Sequence, residues 1–143
     1  MLTEADHKNH VLLTKKVQDV EIEYFNKLEE NDILFVDSSH VSKTGSDLNH
    51  IIFNILPILN KGVIIHFHDI FYPFEYPKEW VLTQGGFGWN ESYMLRAFLM
   101  YNKSFKILFL NSYMEHFHKD WFLSNMPDCL LRQGGSLFIV KTK

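Results

Sequence analysis

The strongest constraint on the fold of this chain is a pair of short, continuous apolar runs. The first run is Ile33-Leu34-Phe35-Val36, and the second is Gly62-Val63-Ile64-Ile65. About 25 residues, many of them in a helical apolar period, separate the two runs, which is the spacing of a β-α-β unit with parallel strands. The chain is therefore predicted to contain a parallel sheet with two buried strands.

Polar side chains follow both predicted strands. Asp37 and His40 come after the first run, and His68 and Asp69 come after the second. Ligands of open parallel sheets bind outside the carboxyl ends of the strands, and neighbouring strands lie about 4.8 Å apart. We therefore expect these four side chains to face one ligand.

Length and composition point to one globular domain. The chain has 143 residues, of which 46% are hydrophobic, so residues 1–143 are predicted to form a single domain with a real core. A net charge of -3 gives no electrostatic reason to expect binding to nucleic acid or to an anionic membrane. The absence of a membrane-length apolar stretch and of a signal peptide pattern predicts a cytoplasmic protein. The single cysteine, Cys129, is expected to be a buried small hydrophobe.

The remaining elements are predicted from apolar periodicity and turn residues. Ser46 is the expected cap of a helix between the two strong strands, and Pro57 should kink that helix or end it early. The predicted buried face of this helix consists of Leu48, Ile51, Ile52, Ile55 and Leu59. Further predicted elements are a modest strand at 10–13, a helical stretch at 21–28, a helix at 90–101, a helical or irregular piece at 114–123 and strands at 105–111 and 136–141.

A long aromatic loop is predicted to follow Asp69. Pro73 and Pro77 stiffen it, and Gly85-Gly86-Phe87-Gly88 cannot hold a regular helix. Aromatic walls with a few polar groups are typical of small-molecule sites, so this loop is expected to form partly core and partly an acceptor pocket or lid.

The order of these motifs resembles the second half of a class I S-adenosylmethionine-dependent methyltransferase. The resemblance rests on Asp37-Ser38-Ser39-His40, on the turn Asn60-Lys61-Gly62 and on His68-Asp69. It is strongest with the bacterial branch in which one strand ends Asp-x-x-His and the next ends His-Asp. What this resemblance implies is an α/β fold with a three-layer, Rossmann-like methyltransferase sheet that ends in an antiparallel strand pair.

The resemblance also implies that the usual cofactor loop has no counterpart in this chain. Such enzymes hold S-adenosylmethionine mainly with a glycine-rich loop, but no glycine precedes Val17. The chain resembles a methyltransferase that begins near its third strand, without the first two strands. Because the first strand normally lies beside the fourth, the run from Ile33 to Val36 is expected to keep an exposed edge. A homo-oligomer, or a second chain that covers this edge, is therefore predicted.

The resemblance further implies roles for five residues at the strand ends. Asp37, His68 and Asp69 would bind a divalent metal, and His40 would act as the catalytic base that takes a proton from the acceptor. Asp19 and Asp37 would contact the cofactor, S-adenosylmethionine. Plain structural roles stay open for these residues: Asp37 as a loop cap, Asp19 as a turn residue and His40 as a solvent-facing loop histidine.

Three other histidines are weaker candidates. His66 shares a strand face with His68, but its position within the strand favours a core histidine. His116 and His118 are most simply explained as surface residues, because no other ligand type is placed near them.

The predicted function is methyl transfer from S-adenosylmethionine to an oxygen or nitrogen of a small molecule or sugar, with possible help from a metal. Two alternatives stay open. The first alternative is that the chain is a non-catalytic remnant that serves as an interaction module. The second is that it is a metal-dependent oxygenase related to the cephalosporin hydroxylase-like group. The sequence names neither the acceptor, nor the metal, nor the oligomeric state.

Overall fold

The computed structural model describes residues 8–83, 88–132 and 134–143. Within these residues four strands form one sheet in the spatial order β1-β2-β4-β3. The strands are β1 (Ile33–Val36), β2 (Ile64–His68), β3 (Phe105–Leu110) and β4 (Ser136–Lys141). β1 and β2 are parallel, whereas β4 runs antiparallel to both β2 and β3. The predicted parallel pair and antiparallel ending are both confirmed.

Short helices connect the strands and cover part of the sheet. They are α1 (Glu23–Asn26), α2 (Asp47–His50), α3 (Lys78–Thr83), α4 (Glu91–Met100), α5 (Asn111–Phe117) and α6 (Lys119–Asn125), with 3₁₀ turns at Val17–Asp19, Leu56–Ile58 and Pro127–Leu130. None of the helices in the described ranges has the length and apolar character that crossing a membrane requires.

Two predictions about segments outside the central sheet are wrong. No strand forms at 10–13, where Val11, Leu12 and Leu13 are exposed, because the segment has no neighbouring strand to pair with. Cys129 is exposed rather than buried. It lies in the 3₁₀ turn Pro127–Leu130, which contributes no buried residue to the core.

The connection between β1 and β2 forms as predicted up to its proline. The Ser46 side chain accepts a hydrogen bond from the backbone N–H of Asn49 and so caps α2. The helix continues as a π-helical turn, Ile51–Ile55, and ends in the 3₁₀ turn that contains Pro57, which lacks the N–H needed to extend the helix. The five predicted face residues, Leu48, Ile51, Ile52, Ile55 and Leu59, are all buried.

A buried lysine holds the end of this connection against the sheet. Nζ of Lys141, the last residue of β4, donates hydrogen bonds to the carbonyls of Leu56 and Pro57. These carbonyls lie at the end of the helical segment, where they lack helical partners and attract a cation. Burial lowers the pKa of the Lys141 ammonium.

The two faces of the sheet are covered differently. Alternate residues of the strands, among them Val36, Ile65, Phe67, Leu137 and Ile139, join the helix residues in one hydrophobic core. On the opposite face, Ile33 and Phe35 of β1 are 56% and 59% exposed. The prediction of a fully buried first strand is therefore wrong, because no described element packs over this side of β1. The predicted third layer is not found at this place within the described residues.

A row of aromatic rings crosses the sheet on this less covered face. One ring comes from each strand: Phe35 of β1, His66 of β2, Phe138 of β4 and Phe109 of β3. Successive ring centroids lie 4.3, 4.5 and 6.3 Å apart. Since these residues are partners in the strand register, the row follows directly from how the strands pair.

The segment after β2 is an aromatic cluster interrupted by α3. Phe71 is buried and contacts the edge of Trp80 at a centroid distance of 5.3 Å. Trp89 lies 5.6 Å from Trp80 and 5.9 Å from Tyr76. The rings therefore pack on one another beside the carboxyl end of β2. Of the predicted glycine-rich stretch, 85–87 lies outside the described residues.

We expect Ile55→Ala to lower the free energy of unfolding by about 2–5 kcal/mol, because the side chain is completely buried and its truncation leaves a cavity. Urea unfolding of the full chain measures this change. The matched control is Phe53→Ala in the same helical segment, since Phe53 is 59% exposed and should change stability by no more than about 0.5 kcal/mol. Equal losses for the two variants would contradict the packing described here.

Candidate functional site

The ends of β1 and β2 bring the predicted polar residues together. Nε2 of His40 lies 3.4 Å from Oδ1 of Asp37 and 4.0 Å from Oδ2 of Asp69. Nε2 of His68 lies 3.6 Å from Oδ1 of Asp69. The parallel register of β1 and β2 explains this arrangement, because both strands end at the same edge of the sheet. Asp37 is the most open member, with its side chain 57% exposed.

The central contact of the site involves a residue that the sequence analysis missed. Nδ1 of His40 lies 2.6 Å from Oε2 of Glu91, which is the first residue of α4 and only 1% exposed. Ser38 donates a hydrogen bond from Oγ to Oε1 of the same carboxylate, at 3.3 Å. No local pattern marks Glu91, because an acidic residue in the first turn of a helix is ordinarily explained by the helix dipole.

Backbone hydrogen bonds fasten the His40 loop to the start of α4. The N–H groups of Asn90 and Glu91 both donate to the carbonyl of His40, at 3.0 and 3.2 Å. The Asn90 side chain in turn accepts from the N–H of Ser42, at 2.6 Å. The loop carbonyl thus satisfies N–H groups at a helix start that would otherwise lack partners.

Two site residues adopt a backbone conformation that is uncommon for residues other than glycine. His40 has φ of 57° and Asp69 has φ of 58°, both in the left-handed region. Each residue follows one of the two parallel strands, so the chain turns sharply at both strand ends. Residues held in this region cost roughly 1–3 kcal/mol and cluster at functional sites.

Asp37 does not act as the loop cap that its position allows. The N–H of Ser39 donates to Asp47 at 2.8 Å, and the N–H of His40 donates to Oγ of Ser38 at 3.0 Å. Burial raises the pKa of the Asp47 carboxyl, but the hydrogen bonds from Ser39 outweigh it and lower the pKa. Because other groups hold both amides, the carboxylate of Asp37 is left facing His40 and solvent.

The carboxylates around His40 favour its charged form. Burial by itself lowers the pKa of His40, but the hydrogen bond and charge of Glu91, with the charges of Asp69 and Asp37, outweigh burial and raise the pKa. Burial also raises the pKa of Glu91, against the stabilising effect of His40. The first shift favours an ion pair and the second a neutral pair. We interpret the contact as imidazolium and carboxylate, because two further carboxylates face the ring.

The predicted metal ligands do not form a metal site in this arrangement. Throughout the described part of the chain, no three His, Cys, Asp or Glu side chains are grouped so that they could hold a metal ion. The imidazole of His40 stands close to both Asp37 and Asp69. In this arrangement Asp37, His68 and Asp69 are not grouped as a metal site, and no chemical step is assigned to a metal.

The predicted cofactor residues lie near a small cavity under β1. The cavity measures about 240 Å³, and Phe25, Leu34 and Asp37 line it. Val17, from the turn that contains Asp19, also lines it. Small-molecule pockets usually measure about 300–1,000 Å³. No glycine occurs before Gly45, so the described residues supply no glycine-rich loop for the cofactor. They fit at most one part of S-adenosylmethionine, and no step is derived through it.

The other histidines differ in their surroundings. His66 stacks on Phe35, and its Nε2 has no hydrogen-bond partner among the described residues. Burial, and then the charge of His68, lower the pKa of His66, although Asp37 opposes them. This environment agrees with the structural role that its strand position favours. His116 and His118 are exposed, as predicted.

A family model described as a methyltransferase domain matches residues 1–70, just under half of the chain. The matched part includes Asp37, His40, His68 and Asp69, whereas Glu91 lies beyond it. Neither a curated protein nor a solved structure matches the chain significantly. The match supports a methyltransferase domain, and the α/β sheet is consistent with a Rossmann-like fragment of one.

We expect stability to fall as pH rises through the raised pKa of His40. In the unfolded chain the pKa of this histidine is about 6.5. Below that pH the imidazole is charged in both states, and its contribution to the stability of the folded chain is fully present. Above it, the folded chain binds more protons than the unfolded chain, and stability decreases until the folded pKa is passed. Urea unfolding between about pH 6 and 9 measures the slope. His40→Gln should reduce this slope, and the control His116→Gln should leave it unchanged. A wild-type chain whose stability rises with pH in this range would contradict the raised pKa of His40.

Proposed function

We propose that the chain takes part in class I, S-adenosylmethionine-dependent methyl transfer to a hydroxyl or amino group of a small molecule or sugar. The observation that carries the proposal is a buried carboxylate, Glu91, bonded to one nitrogen of His40, while the other nitrogen faces the open strand edge between Asp37 and Asp69. The methyltransferase match over residues 1–70 supports the same class of reaction.

The role assigned to His40 is that of a general base. Above its raised pKa the His40 ring is neutral, and Nε2 then takes the proton of the acceptor hydroxyl, which makes the acceptor oxygen the nucleophile. Asp19 and Asp37 would contact S-adenosylmethionine, which would supply the electrophilic methyl group. The proton ends on Nε2, where Asp37 and Asp69 stabilise the resulting imidazolium.

The charge of the site restricts the acceptor. Asp37 and Asp69 flank the nitrogen that would receive the proton, and their side chains are 57% and 22% exposed. Carboxylates accept hydrogen bonds from hydroxyl and amino groups, but they repel an anionic acceptor. A neutral polyhydroxyl compound, such as a sugar, is therefore a better match than a carboxylate or a phosphate ester.

We expect His40→Gln to lower kcat for methyl transfer by roughly 10²- to 10⁴-fold, because a positioned general base contributes about that much. Transfer of a labelled methyl group from S-adenosylmethionine, supplied at saturating concentration, to a panel of sugars and small phenols measures kcat even where the cofactor binds weakly. His116→Gln is the matched control, since His116 is exposed and follows β3, the strand at the opposite side of the sheet from β1. A His40→Gln enzyme with full activity would remove His40 from the reaction.

We also expect the chain alone to bind S-adenosylmethionine weakly or not at all, because the cavity beside the predicted cofactor residues measures only about 240 Å³ and no glycine-rich loop adjoins it among the described residues. Isothermal titration calorimetry, with and without Mg²⁺ or Mn²⁺, measures the affinity. Assistance by a metal remains a proposal, and the titrations that contain Mg²⁺ or Mn²⁺ test it. A low-micromolar dissociation constant for the monomer would contradict this expectation.

A second candidate function is that of an interaction module. Among the described residues, no strand pairs with the outer edge of β1, and Ile33 and Phe35 are more than half exposed beside it. An unpaired, apolar edge is a template for pairing with another chain. We propose that a second copy or another polypeptide covers this edge.

Sedimentation velocity at micromolar concentration tests whether the chain associates through the edge of β1. We expect the wild-type chain to self-associate and Phe35→Lys to shift it toward the monomer, because a charge on the edge strand disfavours pairing. Phe53→Lys is the matched control: Phe53 is also 59% exposed, but it lies in the helical connection. A wild-type chain that sediments as a clean monomer would exclude self-pairing.

A further inference from the structure

We propose that Glu91 is a positioning residue for the reaction: its buried carboxylate holds the imidazole of His40 by Nδ1, so that Nε2 faces the acceptor. This inference rests on the proposed methyl transfer and adds to it a residue outside the part of the chain that the family match covers. Glu91 itself does not touch the space between Asp37 and Asp69, and it acts only through His40.

The geometry restrains the ring from several sides. The bond from Nδ1 of His40 to Oε2 of Glu91 is 2.6 Å long, which is short even for a charge-assisted hydrogen bond. The ring of Trp89 lies against the imidazole, with a centroid distance of 4.3 Å and an angle of 38° between the planes. Because His40 is itself buried, rotation of the ring would break the bond and the ring contact together.

The carboxylate is also held on its far side. Ser38 donates a hydrogen bond from its hydroxyl to Oε1, while the same hydroxyl accepts from the N–H of His40. Ser38, His40 and Glu91 therefore form a closed hydrogen-bonded circuit. In such a circuit each member limits the movement of the others, which is how a catalytic side chain is held in a productive orientation.

A purely structural role for Glu91 is the main alternative. The loop, however, already has other bonds to α4, namely those from the N–H groups of Asn90 and Glu91 to the His40 carbonyl and from Ser42 to Asn90. These bonds do not depend on the Glu91 side chain. A buried carboxylate is costly unless it is paired, and the described partners of this one are the His40 ring and Ser38.

The first test observes the ring directly and needs no activity. In the ¹⁵N-labelled full chain, at one fixed pH and low temperature, the Nδ1 proton of His40 should resonate far downfield, as expected for a short bond to a carboxylate. His40→Gln assigns the signal. Glu91→Gln should remove the downfield shift. The control Glu75→Gln should leave the shift unchanged. Glu75 accepts a hydrogen bond from Tyr93, which lies in α4 like Glu91, and not from His40.

The second test separates positioning from folding by kinetics. Glu91→Gln should lower kcat by roughly a hundredfold with little change in KM, because a misplaced base fails in the chemical step rather than in binding. In the His40→Gln background, the same substitution should cause no further loss, because Glu91 acts only through His40. Glu91→Asp, which keeps the charge but shortens the reach, should behave like Glu91→Gln and provides a second variant if that protein folds poorly.

The outcomes are distinguishable. An unchanged Nδ1 signal in a folded Glu91→Gln protein, or losses in kcat that multiply in the double variant, would overturn the positioning role. Loss of the signal in a chain that methylates no acceptor, although calorimetry shows that it binds S-adenosylmethionine, would uphold the placement of His40 by Glu91 and overturn the proposed methyl transfer instead.

Discussion

The parallel pairing of β1 with β2 is the constraint on which the rest of the site depends. It sets Leu34 beside Ile65 and Val36 beside Phe67, so the core faces of the two strands coincide. The same register brings both strand ends to one edge of the sheet. Without it, Asp37 and Asp69 would have no reason to approach the same imidazole, and the helical connection from Ser46 to Leu59 would lose the surface that it covers.

The pair formed by His40 and Glu91 links two distant parts of the chain. The two residues are 51 positions apart, and their contact joins the end of β1 to the start of α4. The surrounding carboxylates raise the pKa of the imidazole against the effect of burial, so charge and packing oppose each other at this point. Such opposition is typical of functional sites, where burial and neighbouring charges are arranged to shift the pKa of a titratable group.

The less covered face of the sheet is compatible with both functions proposed for the chain. The aromatic row from Phe35 to Phe109 crosses all four strands, and at β1 it ends in a half-exposed ring beside an unpaired edge. An enzyme that works with a second chain and a non-catalytic interaction module both need this edge. The chemistry at His40 distinguishes them, because a module has no use for a base facing an open strand end.

Local sequence patterns were enough to predict β2, β4, the Ser46 cap and all five buried residues of the following connection, since each depends on neighbours along the chain. The strand-end rule likewise brought Asp37, His40, His68 and Asp69 to one edge. The pattern failed where burial depends on distant partners: a strand at 10–13 found no neighbour, Cys129 stayed exposed, and Ile33 and Phe35 faced outward.

Only the folded chain decided what surrounds His40. Glu91 reaches its ring because α4 packs behind the β1 loop, and the imidazole faces the two aspartates. The physical reason is one of range. Hydrogen bonds within a helix, cap or strand run are set by residues close in sequence, whereas the electrostatics of a buried site are the sum of charges that tertiary packing alone brings within a few ångströms of one another.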